Sequence, residues 1–490
     1  MTLTGTAVRG GAITLVAQAG RIVVGFCSTV VLARLLTPYD FGLVAMAVAV
    51  VGVADLLRDF GLSTAAIQAT HLSRAQHNNL FWINSLFGLL CGLSIYLCST
   101  PIAAFFEQPE LVGVIQLLAL TFVLGGVATQ FKVQINRQLR FGRLAVIELV
   151  SPAMGFLGGL ALSFVTRSYW VIVVQLLITA VVGLALSMAL SGWWPGLPNR
   201  SGDVRTLLSV GVDLFGTQLV AYVAKNVDSI AIGRVWGASQ LGIYDRAYQV
   251  LVVPLNQLNA PLSRVAIPIF SRISRQRKRF AGAIQTAQLM STYLTGTLFA
   301  LVAALSLPLV VVLFGDNWLA AAPVLAVLAI GGIFRSLLQV CFWIYTSLGL
   351  TRPQLKFYLV AQPALVAVIL CGLPWGVVGV AIGHSVGYLL YWVASIWWVG
   401  RISGIDVAPL VRDAARALLL FAAPIGVSAF LAAHWLDGAL IQLVAGGVAA
   451  AVVGGLLCWL VRPVGADLRV LLRLARAGLA KRDPAAVETG

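Results

Sequence analysis

Ala33-Arg34-Leu35-Leu36-Thr37-Pro38-Tyr39-Asp40-Phe41-Gly42-Leu43 returns without a gap as Gly233-Arg234-Val235-Trp236-Gly237-Ala238-Ser239-Gln240-Leu241-Gly242-Ile243. The offset is 200 residues, the separation of Arg34 from Arg234 and of Gly42 from Gly242. Each copy sits between two long apolar runs, so each reads as the turn joining the first two membrane helices of a repeat. A fainter echo follows in the same order, Pro101 with Pro308 and Leu117 to Leu120 with Val327 to Ile330.

The chain around these copies has a lipid-compatible composition. Its 490 residues are 60% hydrophobic and 10% charged, with a mean hydropathy of +0.95. A soluble domain carries roughly 25% charged residues, so a water-facing surface cannot be assembled from this sequence. Apolar runs of spanning length are expected six times between residues 12 and 190 and eight times between 208 and 461. The expected fold class is therefore an all-α integral membrane protein of about 14 transmembrane helices. Six helices separate the two copies, so both cross the membrane in the same sense and the repeat is parallel, related by an axis along the membrane normal. The expected organisation is an N-terminal lobe over 1–200, a C-terminal lobe over 201–400, two additional transmembrane helices over 401–465, and a basic amphipathic cytoplasmic tail over 466–490.

The formal net charge of +16 would suit nucleic acid, but the basic residues fall in short segments between spans. With the N-terminus inside, 24 of them collect on the inner side, against Arg34, Arg167, Arg234 and Arg246 on the outer. This bias predicts both termini in the cytoplasm, with basic loops against anionic lipid, and no nucleic-acid partner. Six cysteines, Cys27, Cys91, Cys98, Cys341, Cys371 and Cys458, all lie in apolar runs without a CxxC pair. They read as helix-packing residues. His71, His77, His384 and His434 are scattered, so no metal site and no cofactor are expected. The outer loops are too short to carry the acid, base or His groups of a glycosyltransferase or polymerase, and the chain reads as a non-enzyme.

Charges inside the spans carry the functional information, since an unpaired charge at the bilayer centre costs about 3 kcal/mol or more. Arg21 lies in the first span, and Asp55, Arg58 and Asp59 share one face of the second. Asp213 and Lys225 follow in the seventh, Arg264 in the eighth and Arg335 in the tenth. Structural pairing accounts equally well for Asp55 with Arg58, and Lys225 can pair with Asp228. Five cations against three anions favour an anionic substrate, and a pyrophosphate over a cationic drug. Gln18, Asn84, Gln130, Gln175 and Tyr222 add neutral hydrogen-bonding groups, whose commoner use is helix-to-helix contact.

The run from Leu32 to Gly42, then Asp59-Phe60-Gly61-Leu62-Ser63-Thr64-Ala65-Ala66-Ile67-Gln68, resembles the start of polysaccharide flippases of the Wzx and colanic-acid-exporter type. Leu139-Arg140-Phe141 with Glu148, Lys225-Asn226-Val227-Asp228, Leu241-Gly242-Ile243-Tyr244-Asp245-Arg246-Ala247-Tyr248 and Pro268-Ile269-Phe270-Ser271-Arg272 continue the match. The resemblance implies the multidrug, oligosaccharidyl-lipid and polysaccharide (MOP) exporter fold, two six-helix lobes and two extra helices. It also implies an undecaprenyl-pyrophosphate-linked oligosaccharide as partner, moved from inner to outer leaflet of a bacterial cytoplasmic membrane by alternating access. A place beside a polysaccharide polymerase and export machinery follows from the same resemblance. Arg21, Arg58, Lys225 and Arg335 are the implied pyrophosphate contacts; Asp55, Asp59, Asp213 and Arg264 are the remaining cavity or coupling candidates. An ion-coupled multidrug antiporter of the same superfamily is the alternative, for which an acidic cavity would be expected.

Overall fold

The computed structural model describes residues 3–59, 63, 66–67, 72–198 and 205–480; within helices, the side chains of 3–12, 15, 55–59, 205–221, 223–225, 260–261 and 472–480 are not described. The described residues are helical with short connections. They divide into two compact units, Met1–Asp245 and Arg246–Gly490.

Unit 1 holds α1 (Leu3–Leu35), α2 (Pro38–Asp59), α3 (Arg74–Leu97), the short α4 (Ser99–Phe106), α5 (Leu111–Arg137), α6 (Phe141–Ser163), α7 (Trp170–Ser191) and the first part of α8 (Arg205–Ile273). Apolar length makes these helices, and specific polar residues start them. Ser73 opens α3 with a capping box: its Oγ accepts from the Gln76 amide at 3.1 Å while Gln76 Oε1 accepts from the Ser73 amide at 3.0 Å. At α2 the Asp40 carboxylate accepts from the Thr37 amide at 2.9 Å and from the Thr37 hydroxyl at 2.6 Å, with Pro38 opening the helix. Small residues then let helices touch. A Cβ on Gly88 would stand 2.7 Å from the Phe122 carbonyl, and one on Gly92 2.9 Å from that of Ala119, so α3 and α5 meet backbone to backbone.

Unit 2 holds the rest of α8, α9 (Arg277–Ser291), a π-helical turn (Thr292–Gly296), α10 (Thr297–Ala304), α11 (Ser306–Phe314), α12 (Ala321–Ser347), α13 (Thr351–Cys371) and α14 (Gly376–Ser403). There follow α15 (Ala408–Ala417), a second π-helical turn (Leu418–Ala422), α16 (Ala423–His434), α17 (Ala439–Leu460) and α18 (Arg462–Ala480). The core runs along α12, whose Trp343 indole and Gln339 amide both donate to Ser263 Oγ of α8, at 2.9 and 3.0 Å. The fainter sequence echo has a structural counterpart: Pro101 and Pro308 each sit in a short helix, α4 and α11, just after a long helix breaks.

Ten segments among the described residues are long and apolar enough to cross a membrane. One of them, Thr351–Ser403, contains both α13 and α14, and α2 adds the shorter apolar stretch Pro38–Ala54. The all-helical membrane class expected from the sequence is therefore observed, while the count of fourteen is not reproduced span by span.

Candidate functional site

The turn quoted from the first copy breaks a helix at Thr37, and its counterpart breaks α8 at Gly237, where φ is 77° and ψ is −178°. Thr and Gly occupy equivalent places because each starts a new helix, one by capping it and one by a backbone conformation that suits glycine. The two restarts lie against each other. A Cβ on Gly42 would overlap the Ala238 carbonyl oxygen, and a Cβ on Gly242 would overlap that of Pro38. Pro38 and Ala238 are themselves equivalent at the same offset, so the contact is reciprocal, as expected about a two-fold axis. The turn after α4 fastens both copies. Tyr39 donates to Gln108 Oε1 at 3.2 Å, and Glu107 pairs with Arg234 at 2.7 Å, with the guanidinium 5.8 Å from the Phe105 ring.

Unit 1 also contains a cavity of about 710 Å³ between α1, α2, α5, α6 and α7. Its wall is mixed: apolar residues such as Val51 and Phe122 alternate with Arg21, Lys132, Asn136, Glu148 and Thr179. Arg21 is exposed to this space and has no ion-pair or hydrogen-bond partner among the described residues. Glu148 is the carboxylate in the lining, against the two cations Arg21 and Lys132. Neighbouring amides act as helix contacts. Gln175 of α7 and Ser28 of α1 exchange hydrogen bonds at 3.0 and 3.2 Å, and the Tyr222 hydroxyl donates to the Val48 carbonyl at 3.1 Å.

In unit 2, Arg335 of α12 donates through Nη1 to the Tyr248 hydroxyl at 2.8 Å. Its guanidinium carbon lies 5.6 Å from the Tyr248 ring centre and 5.3 Å from that of Tyr388. Aromatic faces hold a cation without neutralising it. His384 lies beneath the same two tyrosines, 5.6 and 4.6 Å between ring centres, at 2% exposure and with neither ring nitrogen hydrogen-bonded. Arg264 is exposed on α8. Asp55, Arg58, Asp59, Asp213 and Lys225 lie outside the residues whose side chains are described. No group of three or more His, Cys, Asp or Glu side chains is gathered as a metal site among the described residues.

The segment 31–323 matches the family described as "Polysaccharide biosynthesis protein", which is more than half of the chain. The chain belongs to this family. Two relatives carry the same theme. The teichuronic acid biosynthesis protein TuaB of Bacillus subtilis is 30% identical over 62% of this chain and 63% of its own length. The lipopolysaccharide biosynthesis protein WzxC of Escherichia coli is 26% identical over 75% of this chain and 74% of its own. The chain thus spans just under two thirds of the first relative and about three quarters of the second. In three dimensions the fold is similar to a solved structure titled "Lipid II flippase MurJ, inward closed conformation", with a TM-score of 0.70 and 13% identity over 90% of this chain and 97% of that one. The resemblance to Wzx-type proteins is therefore met in the sequence comparisons, and the fold is shared with the MurJ structure.

The matched segment includes both copies of the repeat, Lys132 and Glu148, while Arg21, Arg335 and His384 lie outside it. Lys132 is not among the residues expected at the site, because the apolar run ends at about residue 131; α5 nevertheless continues through it to Arg137. The signal was present as a stripe of Thr121, Gly125, Thr129, Lys132 and Asn136, spaced by three or four residues as one helix face requires. All five line the cavity. His384 left a fainter trace, because only Tyr388 follows it by one turn on α14, while Tyr248 and Arg335 come from α8 and α12.

Proposed function

We propose that the chain is a flippase that moves a polyprenyl-pyrophosphate-linked oligosaccharide from the inner to the outer leaflet of a bacterial cytoplasmic membrane, for cell-surface polysaccharide biosynthesis. The observation that carries this reading is the cavity of unit 1, where Arg21 presents a cation without a carboxylate partner among the described residues. A pyrophosphate and a sugar chain cannot cross hydrocarbon unaided, because burying an ionised group without compensation costs many kcal/mol. A space of this kind, with Arg21 and Lys132 for phosphate oxygens and Asn136 and Thr179 for hydroxyls, replaces the lost hydration. Family membership and the similarity to TuaB and WzxC, proteins of teichuronic acid and lipopolysaccharide biosynthesis, support the sugar; the MurJ-like fold supports a transporter scaffold.

In this reading Arg335, with Tyr248 and Tyr388, is a second phosphate contact, and Arg58 and Lys225 remain candidates on sequence grounds. The reciprocal contact of Gly42 and Gly242 is the closed outer end of an alternating-access cycle, both termini are cytoplasmic, and the two lobes extend over 1–200 and 201–400. The polyprenyl tail stays in lipid throughout. The deciding experiment removes the chain from its host and identifies the lipid-linked sugar that accumulates in the inner leaflet. Normal display of surface polysaccharide with no such accumulation would refute the proposal.

A further inference from the structure

The end of unit 2 that carries α18 contains a polar knot packed on an apolar cluster. Asp467 of α18 receives Arg416 through two nitrogens, with contacts of 2.8, 3.0 and 3.2 Å, and the Tyr293 hydroxyl at 3.0 Å. Arg416 is shared with Asp413 at 3.2 Å, and Asp413 in turn accepts from Gln285 of α9. Beneath the knot, Leu289, Tyr293, Ala417 and Val464 form a buried cluster with Leu468 and Leu471 against it. Tyr293 belongs to the π-helical turn Thr292–Gly296, and Arg416 stands two residues before the other one, Leu418–Ala422. The two turns are neighbours. A Cβ on Gly296 would lie 2.8 Å from Leu418 and 3.7 Å from Ala422, and the rings of Tyr293 and Phe421 are 5.1 Å apart. A π-helical turn widens the ladder and weakens its hydrogen bonds, so two of them side by side make a compliant joint in a pair of packed helices.

The opposite face of α18 is basic. Arg462 and Arg469 are exposed and seven residues apart, and positions 473 and 476 continue that helical register. The same end of unit 2 exposes Arg272, Arg275, Arg277, Lys278, Arg279 and Arg412, whereas Asp413 and Asp467 are consumed in the knot. An amphipathic helix with arginines on one face and leucines on the other fits an anionic lipid surface.

We propose that α18 is a strap that binds the phosphate headgroups of anionic lipids and, through Asp467, makes the stiffness of the two π-helical turns depend on that binding. Lipid holds the helix down, the helix holds Asp467 on Arg416 and Tyr293, and those residues hold the joint. The partner is the membrane surface itself, and nothing in the claim depends on what the cavity of unit 1 carries.

The test uses the full chain in lipid nanodiscs, either phosphatidylcholine alone or phosphatidylcholine with phosphatidylglycerol, and reads amide hydrogen exchange. Anionic lipid should slow exchange several-fold over 462–471, 292–296 and 418–422 together. Arg462→Gln and Arg469→Gln should each weaken the response of the strap about fivefold, the effect of one basic residue at an anionic surface. Asp467→Asn should leave the strap sensitive to lipid while uncoupling both π-helical turns. Tyr293→Phe keeps the ring packing and removes one hydrogen bond, so it should uncouple them in part and guards against a misfolded Asp467 variant. Turns that respond to lipid as strongly in Asp467→Asn as in the unsubstituted chain would overturn the proposal. So would equal exchange in the two lipids, or the same slowing produced by inorganic phosphate in neutral discs.

Discussion

Arg21 and Lys132 face one cavity but differ in how they could be found. Arg21 interrupts an apolar run and is conspicuous in the sequence; Lys132 sits where hydropathy fades, and only the helical spacing of its polar neighbours places it inside α5. Hydrogen bonds to charged groups contribute about 1.5–3 kcal/mol, so Arg21→Ala should lower flipping of a lipid-linked oligosaccharide about tenfold or more at unchanged protein level. Arg21→Lys retains the charge but not the planar fork, and should fall between the two if two phosphate oxygens are gripped together. Full transport by Arg21→Ala in reconstituted vesicles would remove that residue from the site. What the sequence could not supply is burial and partnership. His384 looked like one of four scattered histidines, and its enclosure by Tyr388 of its own helix, Tyr248 of α8 and Arg335 of α12 depends on three helices coming together.

Helices follow from apolar length and could be read directly, whereas their ends depend on single residues. The start of α2 is an example, with Thr37 and Asp40 bonded to each other around Pro38. Thr37→Ala should cost about 1 kcal/mol by loss of the cap, visible as a lower midpoint of thermal unfolding in detergent, and an unchanged midpoint would show that Pro38 alone sets the start. The copy at Gly237 reaches the same result through its positive φ, which explains why the two motifs align in place but not in residue type. The π-helical turns were not legible, because their sequences, Thr292–Gly296 and Leu418–Ala422, carry no breaker other than Gly296. The tail was legible as an amphipathic helix from its leucines and arginines, but the bond from Asp467 to Arg416 spans 51 residues and is a product of folding.

Across the whole molecule, the basic bias and the repeat lead to separate measurements. If the termini are cytoplasmic, Arg277→Cys should resist an impermeant thiol reagent added to intact cells and react after permeabilisation; rapid labelling from outside would invert the topology. Tyr39→Cys with Ser239→Cys, in the two equivalent turns, should cross-link with a short reagent and arrest transport until reduced. Spin-label distances between those positions that stay constant through turnover would remove the outer gate from the mechanism. The reciprocal glycine contact makes a further demand. A methyl at Gly42 pushes against the backbone that carries Gly242, and a methyl at Gly242 pushes against the backbone that carries Gly42. Overpacking of this kind costs about 1–3 kcal/mol, and the first substitution separates the surfaces that the second would strain. Gly42→Ala and Gly242→Ala should therefore be markedly sub-additive in a double-mutant cycle on stability or closure, the pair costing little more than either alone. The two halves of the sequence, 200 residues apart, would then behave at this point as a single genetic locus, with a change in one buffering a change in the other.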